Sequence, residues 1–356
     1  MNEYTKKLSK KLGSIADAAL IFSEENRLYF TRFAATDGCL LVTPSGALFY
    51  TDSRYTEAAA RVMGEEYVHN TDVMYDELAA MFAEAGVETV AVENDRLTLA
   101  EYEKVSGKFP EISFNVTSAL SNAIDEIRMV KDDHEVSKIK EAQAIAEKAF
   151  EHICGFIKPG VTEKEIGLEL DYYMLSHGAD ALSFETIAVS GVNSSMPHGV
   201  PSDKKIEKGD FITMDYGAVV AGYHSDMTRT VIVGEPTERQ RFVYDTVLKA
   251  QLASLAALKD GVTGFDADKA ARDVIKEAGF GDCFGHGTGH GVGVEIHEAP
   301  NVSFRSKHTL HTGNIVTVEP GIYLPGEFGV RIEDMALITD EGCENLTHCP
   351  KELVIL

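Results

Sequence analysis

The sequence repeats itself across its second half. Gly160-Val161-Thr162 recurs as Gly261-Val262-Thr263, 101 residues later, and Gly178 recurs as Gly279 at the same offset. A helical pattern over 135–157 stops at Lys158-Pro159-Gly160, and Thr162 with Glu165 forms a capping-box signature for the next helix, which stops near Gly178. Later, Thr237 and Gln240 open a helix of similar length that ends at Lys259-Asp260-Gly261, and another runs to Gly279. Strand-rich sequence follows both pairs. The reading is a duplicated helix–helix–strands unit whose halves pack about a pseudo-twofold axis, with their junction a natural place for a site.

A chain of 356 residues is too long for one ordinary core, so two domains are expected. The first third alternates strand-like and helix-like patterns. Residues 18–22 and 28–33 are apolar runs, and 39–42 and 47–51 flank the turn Thr43-Pro44-Ser45-Gly46. Helical patterns at 55–63, 74–85 and 99–108 alternate with short strands at 67–69, 89–92 and 112–116. This predicts an α/β domain over 1–125 that carries no chemistry, followed by a domain over 126–356.

The net charge of −24 argues against a nucleic-acid surface, which needs clustered Lys and Arg. No run of about 18 apolar residues is present, so no membrane span is expected, and the polar start MNEYTKKLSKKLG does not resemble a secretory signal. Five scattered cysteines without a Cys-x-x-Cys pair fit free thiols in a reducing compartment, which points to the cytoplasm.

Charged residues inside apolar strand patterns carry the chemistry. The segments 211–217 and 224–230 read as strands containing Asp215 and Asp226. A hairpin centred near Val220 and Ala221 sets the two aspartates directly opposite, with Cβ atoms about 4.5–5.5 Å apart. Like charges so placed repel unless one is protonated or a cation lies between them, and a different register would keep them apart. In Gly285-His286-Gly287-Thr288-Gly289-His290-Gly291, glycine at every second position disfavours a helix. An extended chain separates the two imidazoles by roughly 13 Å, so one is read as a ligand and the other as pocket lining. The alternating glycines admit another backbone or a substrate. Glu319 ends the apolar strand 316–319, and Arg331 and Glu333 share a face of a second one. Four carboxylates with one or two histidines suit two hard or borderline cations sharing a water, rather than a closed zinc site.

The ordered set Asp215, Asp226, His290, Glu319, Glu333 resembles the ligand set of the pita-bread metallopeptidases. The blocks Met214-Asp215-Tyr216-Gly217, His286-Gly287-Thr288-Gly289-His290-Gly291, Glu319-Pro320-Gly321-Ile322-Tyr323 and Val330-Arg331-Ile332-Glu333-Asp334 are most similar to the proline-directed branch, prolidase and aminopeptidase P. Thr51-Asp52-Ser53-Arg54-Tyr55 is similar to that branch's non-catalytic domain. The resemblance implies an α+β protein, a carboxy-terminal pita-bread domain preceded by a smaller creatinase-like α/β domain. It implies cleavage of the Xaa-Pro bond at the amino terminus of dipeptides or short peptides by a metal-bridged hydroxide. Two divalent ions are implied, manganese first and cobalt or zinc as alternatives, in a homodimer.

Carried over by position, Asp226 and His290 complete one metal and Asp215 the other, while Glu319 and Glu333 bridge. Glu319 relays the proton. His198 and His297 position the peptide and stabilise the oxyanion, His286 lines the proline pocket, and Arg331 orients Glu333. Prolidases of this group often carry an arginine after His-Glu-x-Pro, but Asn301 follows His297-Glu298-Ala299-Pro300 here, with Arg305 nearby. That weakens a strict dipeptidase and leaves a longer-peptide aminopeptidase open. The competing readings are a non-enzymatic binding member of the fold and a metal-free creatinase-like C–N hydrolase. Both should lack the acidic ligands.

Overall fold

Ala18–Ile21, four fully buried residues, form an inner strand of a six-stranded sheet in the amino-terminal unit. The computed structural model describes residues 2–356 and divides into two units, the first ending at Arg128 and the second spanning Met129–Leu356. The first unit's sheet runs Val68–Asn70, Gly46–Thr51, Cys39–Thr43, Ala18–Ile21, Thr89–Val92, Ser113–Asn115, with parallel and antiparallel neighbours mixed. The apolar run at 28–33 closes the helix Glu24–Thr31, which ends at Arg32 in the left-handed region (φ 57°). That helix buries polar residues too. Asn26 donates to Glu93 Oε1 at 2.7 Å and Arg27 Nη2 to the Ala35 carbonyl at 2.7 Å, satisfying groups that would be costly unpaired.

In the second unit the sequence echo is a structural repeat. Helices Asp133–Phe156 and Glu163–Ser176 precede an antiparallel sheet of Ile187–Ser190, Phe211–Tyr216 and Met227–Ile232. Helices Glu238–Ala257 and Gly264–Glu277 precede a five-stranded sheet containing Gly289–Gly291, Ile315–Val318 and Asp334–Ile338. The backbone bonds repeat as well. Gly160 N–H donates to Ile206 O and Ile206 N–H to Val161 O, just as Gly261 N–H donates to Leu310 O and Leu310 N–H to Val262 O. Thr162 and Thr263 both cap their helices through the side chain. Gly209 and Gly313, both at φ 92°, turn the chain into the central strands Phe211–Tyr216 and Ile315–Val318. Among the described residues no helix is long and apolar enough to cross a membrane.

Candidate metal centre

The central strands deliver the site. Asp215 lies on Phe211–Tyr216, Asp226 just before Met227–Ile232, and His290 on Gly289–Gly291. Glu319 follows Ile315–Val318, and Glu333 lies between Phe328–Arg331 and Asp334–Ile338. All five line one cavity of about 600 Å³, together with His198, His286, His297 and Arg331.

The hairpin register differs from the expected one. Ala221 (φ 53°) and Gly222 (φ 81°) form the two-residue turn between Val220 and Tyr223, one residue later than the sequence suggested. Two adjacent positive φ values suit a tight hairpin turn, and glycine takes one at little cost. Moving the centre by one shifts the partner by two, so Asp215 opposes Thr228 and Asp226 is its diagonal neighbour on the same face. The aspartates still act on each other, because burial first, then the charges of Glu333, Asp215 and Glu319, push the Asp226 carboxyl well above the ordinary carboxylate range.

The glycine-rich segment is extended and admits backbone. A Cβ on Gly289 would lie 1.9 Å from Thr317 O, and one on Gly291 would lie 2.3 Å from Ala299 O. The segment can therefore wedge His290 between two strands. His290 Nδ1 donates to the Gly291 carbonyl at 3.0 Å, so Nε2 carries the lone pair. Nε2 faces Glu319 Oε1 at 3.4 Å and Asp226 Oδ2 at 3.7 Å. Burial and the neighbouring His297 lower the His290 pKa to about 4, which keeps that lone pair free near neutral pH.

Arg331, expected to orient Glu333, reaches it only through the Thr228 hydroxyl and binds Asp215 directly. Its Nη2 donates to Asp215 Oδ2 at 2.7 Å, its Nε to Thr228 Oγ1 at 3.0 Å, and its Nη1 to Tyr323 Oη at 3.0 Å and Pro197 O at 3.2 Å. Strand alternation puts Arg331 and Glu333 on one face, but the long side chain crosses to the neighbouring strand. Thr228 couples the two sides: its hydroxyl accepts from Arg331 and donates to Glu333 Oε2 at 2.7 Å. Behind the site, buried Arg229 pairs with Asp334 at 2.9 Å and donates to the Glu333 carbonyl, which fixes the backbone there.

The residues fit cations. Among the described residues, Asp215 Oδ1 and Glu333 Oε1 are buried with no hydrogen-bond partner. Burial, with like charges around it, raises Glu333 well above its ordinary value, and burial raises Glu319 to about 8. Three carboxyls that resist ionisation, two oxygens without donors and one neutral imidazole make a donor set that divalent ions complete. Atoms of Asp226, His290 and Glu333 lie within 4.8 Å of one another.

His297 packs edge-on against His290, with ring centroids 4.4 Å apart, and both His297 and His198 are exposed to the cavity. His286 Nδ1 donates to the Gly287 carbonyl, so its Nε2 accepts from the Tyr323 hydroxyl at 2.9 Å. Tyr323 thus joins His286 to Arg331 and Asp215. The sequence reading gave Tyr323 and Thr228 no role, because neither residue type in a strand signals one. Arg305 is exposed, stacks over Phe304 with 5.0 Å to the ring centroid, and does not line the cavity.

Residues 137–340 match the profile of Metallopeptidase family M24, and residues 5–130 match the Creatinase/Prolidase N-terminal domain. The chain is 35% identical to a Xaa-Pro dipeptidase of Pyrococcus horikoshii, over 99% of each chain. Among solved structures it resembles a Xaa-Pro dipeptidase from Bacillus anthracis, with TM-score 0.95, 44% identity and 99% of both chains covered. It also resembles an X-Pro aminopeptidase from Thermotoga maritima, with TM-score 0.91, 38% identity, and 98% and 100% of the two chains covered.

Proposed function

The chain belongs to metallopeptidase family M24, and from that premise we propose that it hydrolyses Xaa-Pro bonds at the amino terminus of short peptides in a dinuclear centre. The observation that carries this reading is the convergence of Asp215, Asp226, His290, Glu319 and Glu333 on one cavity, with two buried carboxylate oxygens left without donors. Asp226, His290 and Glu333, whose atoms lie within 4.8 Å of one another, would hold one ion, and Asp215 and Glu319 would supply oxygens to complete the pair. When bound, such ions polarise a carbonyl and acidify a water near neutral pH. Manganese suits a donor set of four carboxylates and one imidazole.

The chain's own residues do the rest. Glu319, ionised when the cations are bound beside it, takes a proton from the attacking water and returns it to the leaving nitrogen. His297, its pKa lowered by burial, and His198 face the scissile carbonyl and orient it. Pro197, Pro201, Val200 and Ile296 offer an apolar wall for the pyrrolidine ring. That ring's nitrogen lacks the N–H by which most peptidases hold a chain.

Longer peptides are favoured over dipeptides by one observation. Arg331 is the one Lys or Arg among the described residues lining the cavity, and its guanidinium is already bound to Asp215. Among the described residues no further Lys or Arg lines the cavity to pair with a dipeptide's carboxylate. A cytoplasmic location is supported by five free cysteines, and a peptide rather than a nucleic acid by the charge of −24. The homodimer implied by the family is checked by sedimentation. The deciding assay compares Ala-Pro with Ala-Pro-Ala, in manganese and then in chelator. Release of alanine that the chelator abolishes supports the reading, and no release from either peptide sinks it. Faster release from the tripeptide marks the aminopeptidase.

A further inference from the structure

Glu163 is the first residue of the helix Glu163–Ser176, and its side chain is completely buried. Its Oε1 accepts from Ser190 N–H at 2.6 Å and the Ser190 hydroxyl at 2.8 Å. Its Oε2 accepts from Ser202 N–H at 3.0 Å and the Ser202 hydroxyl at 2.6 Å. Asn193 Nδ2 spans both oxygens at 3.1 and 3.2 Å. One carboxylate thus ties together the two stems of the loop 191–201, which contains Pro197 and His198. Every donor is neutral, and the helix N-terminus adds a favourable field for the negative group. The helix itself does not need this carboxylate. The repeat places Gly264 at the equivalent position, and the helix there forms without a carboxylate.

The second half holds its own loop by a different carboxylate. Asp268, buried on Gly264–Glu277, accepts from Thr288 N–H at 3.1 Å and the Thr288 hydroxyl at 2.9 Å, and pairs with Arg272. Arg272 donates to the Phe284 and His286 carbonyls. Each second helix therefore lends a buried acid to the loop that brings histidine to the cavity.

We propose that Glu163 is a positioning residue for His198, acting through the loop stems and not on substrate, with Asp268 its counterpart for His286. The inference rests on the peptidase reading above. An Ångström-scale displacement of an aligned group costs up to about 100-fold in rate. The test measures kcat and KM on Ala-Pro-Ala for Glu163→Gln, alone and in a His198→Ala background. Glutamine keeps the length but puts an amide N–H₂ against donors.

With His198 present, Glu163→Gln should lower kcat about 30- to 100-fold. In the His198→Ala background it should lower kcat by no more than about 3-fold, because the group it positions is gone. Equal losses in the two backgrounds would overturn the proposal and leave Glu163 a purely structural acid. Should Glu163→Gln fail to fold, Ser202→Ala removes one donor from one stem and is read by the same comparison. The His198 imidazole NMR signal, identified by its absence in His198→Ala, should shift or broaden in the Glu163 or Ser202 variant. An unmoved signal contradicts the proposal. That spectrum needs no turnover, so it decides the role of Glu163 even if no Xaa-Pro peptide is cleaved.

Discussion

The two halves of the catalytic unit share a frame and divide the chemistry. Gly209-Asp210 and Gly313-Asn314 start the central strands alike: Asp210 accepts Glu207 N–H at 2.9 Å, and Asn314 accepts His311 N–H at 2.8 Å. Six residues after each glycine comes a candidate ligand, Asp215 in one half and Glu319 in the other. Beyond that the halves part. The second adds His290 and Glu333, and the first adds Asp226 and the cavity-lining His198. A repeated frame supplies convergent positions, and single substitutions on it supply different donors.

The largest effects are expected at the donors. Asp226→Asn in the first half and Glu319→Ala in the second should each lower kcat by about a thousand-fold or more, as loss of metal and of the proton acceptor requires. Circular dichroism should show the fold intact, since each change removes a buried carboxyl that burial already penalises. Full activity in either variant would refute its role.

Metal should bind the halves together. At a free manganese concentration 100 times the dissociation constant of each site, the unfolding free energy should rise by about 2.7 kcal/mol per ion, and a chelator should reverse it. Asp215→Asn, from one half, and His290→Ala, from the other, should both reduce that increment. An undiminished increment in either would place the ions elsewhere.

A smaller effect distinguishes the first helices. Glu135 occupies the third helical position of its capping box, where the second half has Gln240. Burial raises the Glu135 pKa to about 7, against an ordinary value of 4.5. The folded chain therefore holds this proton when the unfolded chain has lost it, and stability falls as pH rises from about 4.5 to about 7. Glu135→Gln makes the first half like the second and should add roughly 1–2 kcal/mol at pH 8 relative to pH 5. Urea unfolding at the two pH values measures it, and an equal effect at both would contradict the assignment. Least of all, Thr162→Ala and Thr263→Ala should cost about 1 kcal/mol each, equally if the caps are equivalent.

Local signals made much of this legible. Gly-Val-Thr and its capping residues announced the repeat, because helix ends obey near-neighbour rules. The carboxylates stood out as charges in apolar strands. What escaped depended on distance through space. One residue in the turn at Ala221-Gly222 decided whether Asp215 opposes Asp226 or Thr228. The reach of Arg331 to Asp215 spans 116 residues of chain. Glu163 and Asp268 carry no signal of a role in the sequence, and only the folded loops show what they hold.

The most direct test is anomalous diffraction from crystals of the chain grown in manganese. A dinuclear centre should give two peaks, enclosed by Asp215, Asp226, His290, Glu319 and Glu333. A well-ordered cavity with those five side chains and no peak among them would contradict it.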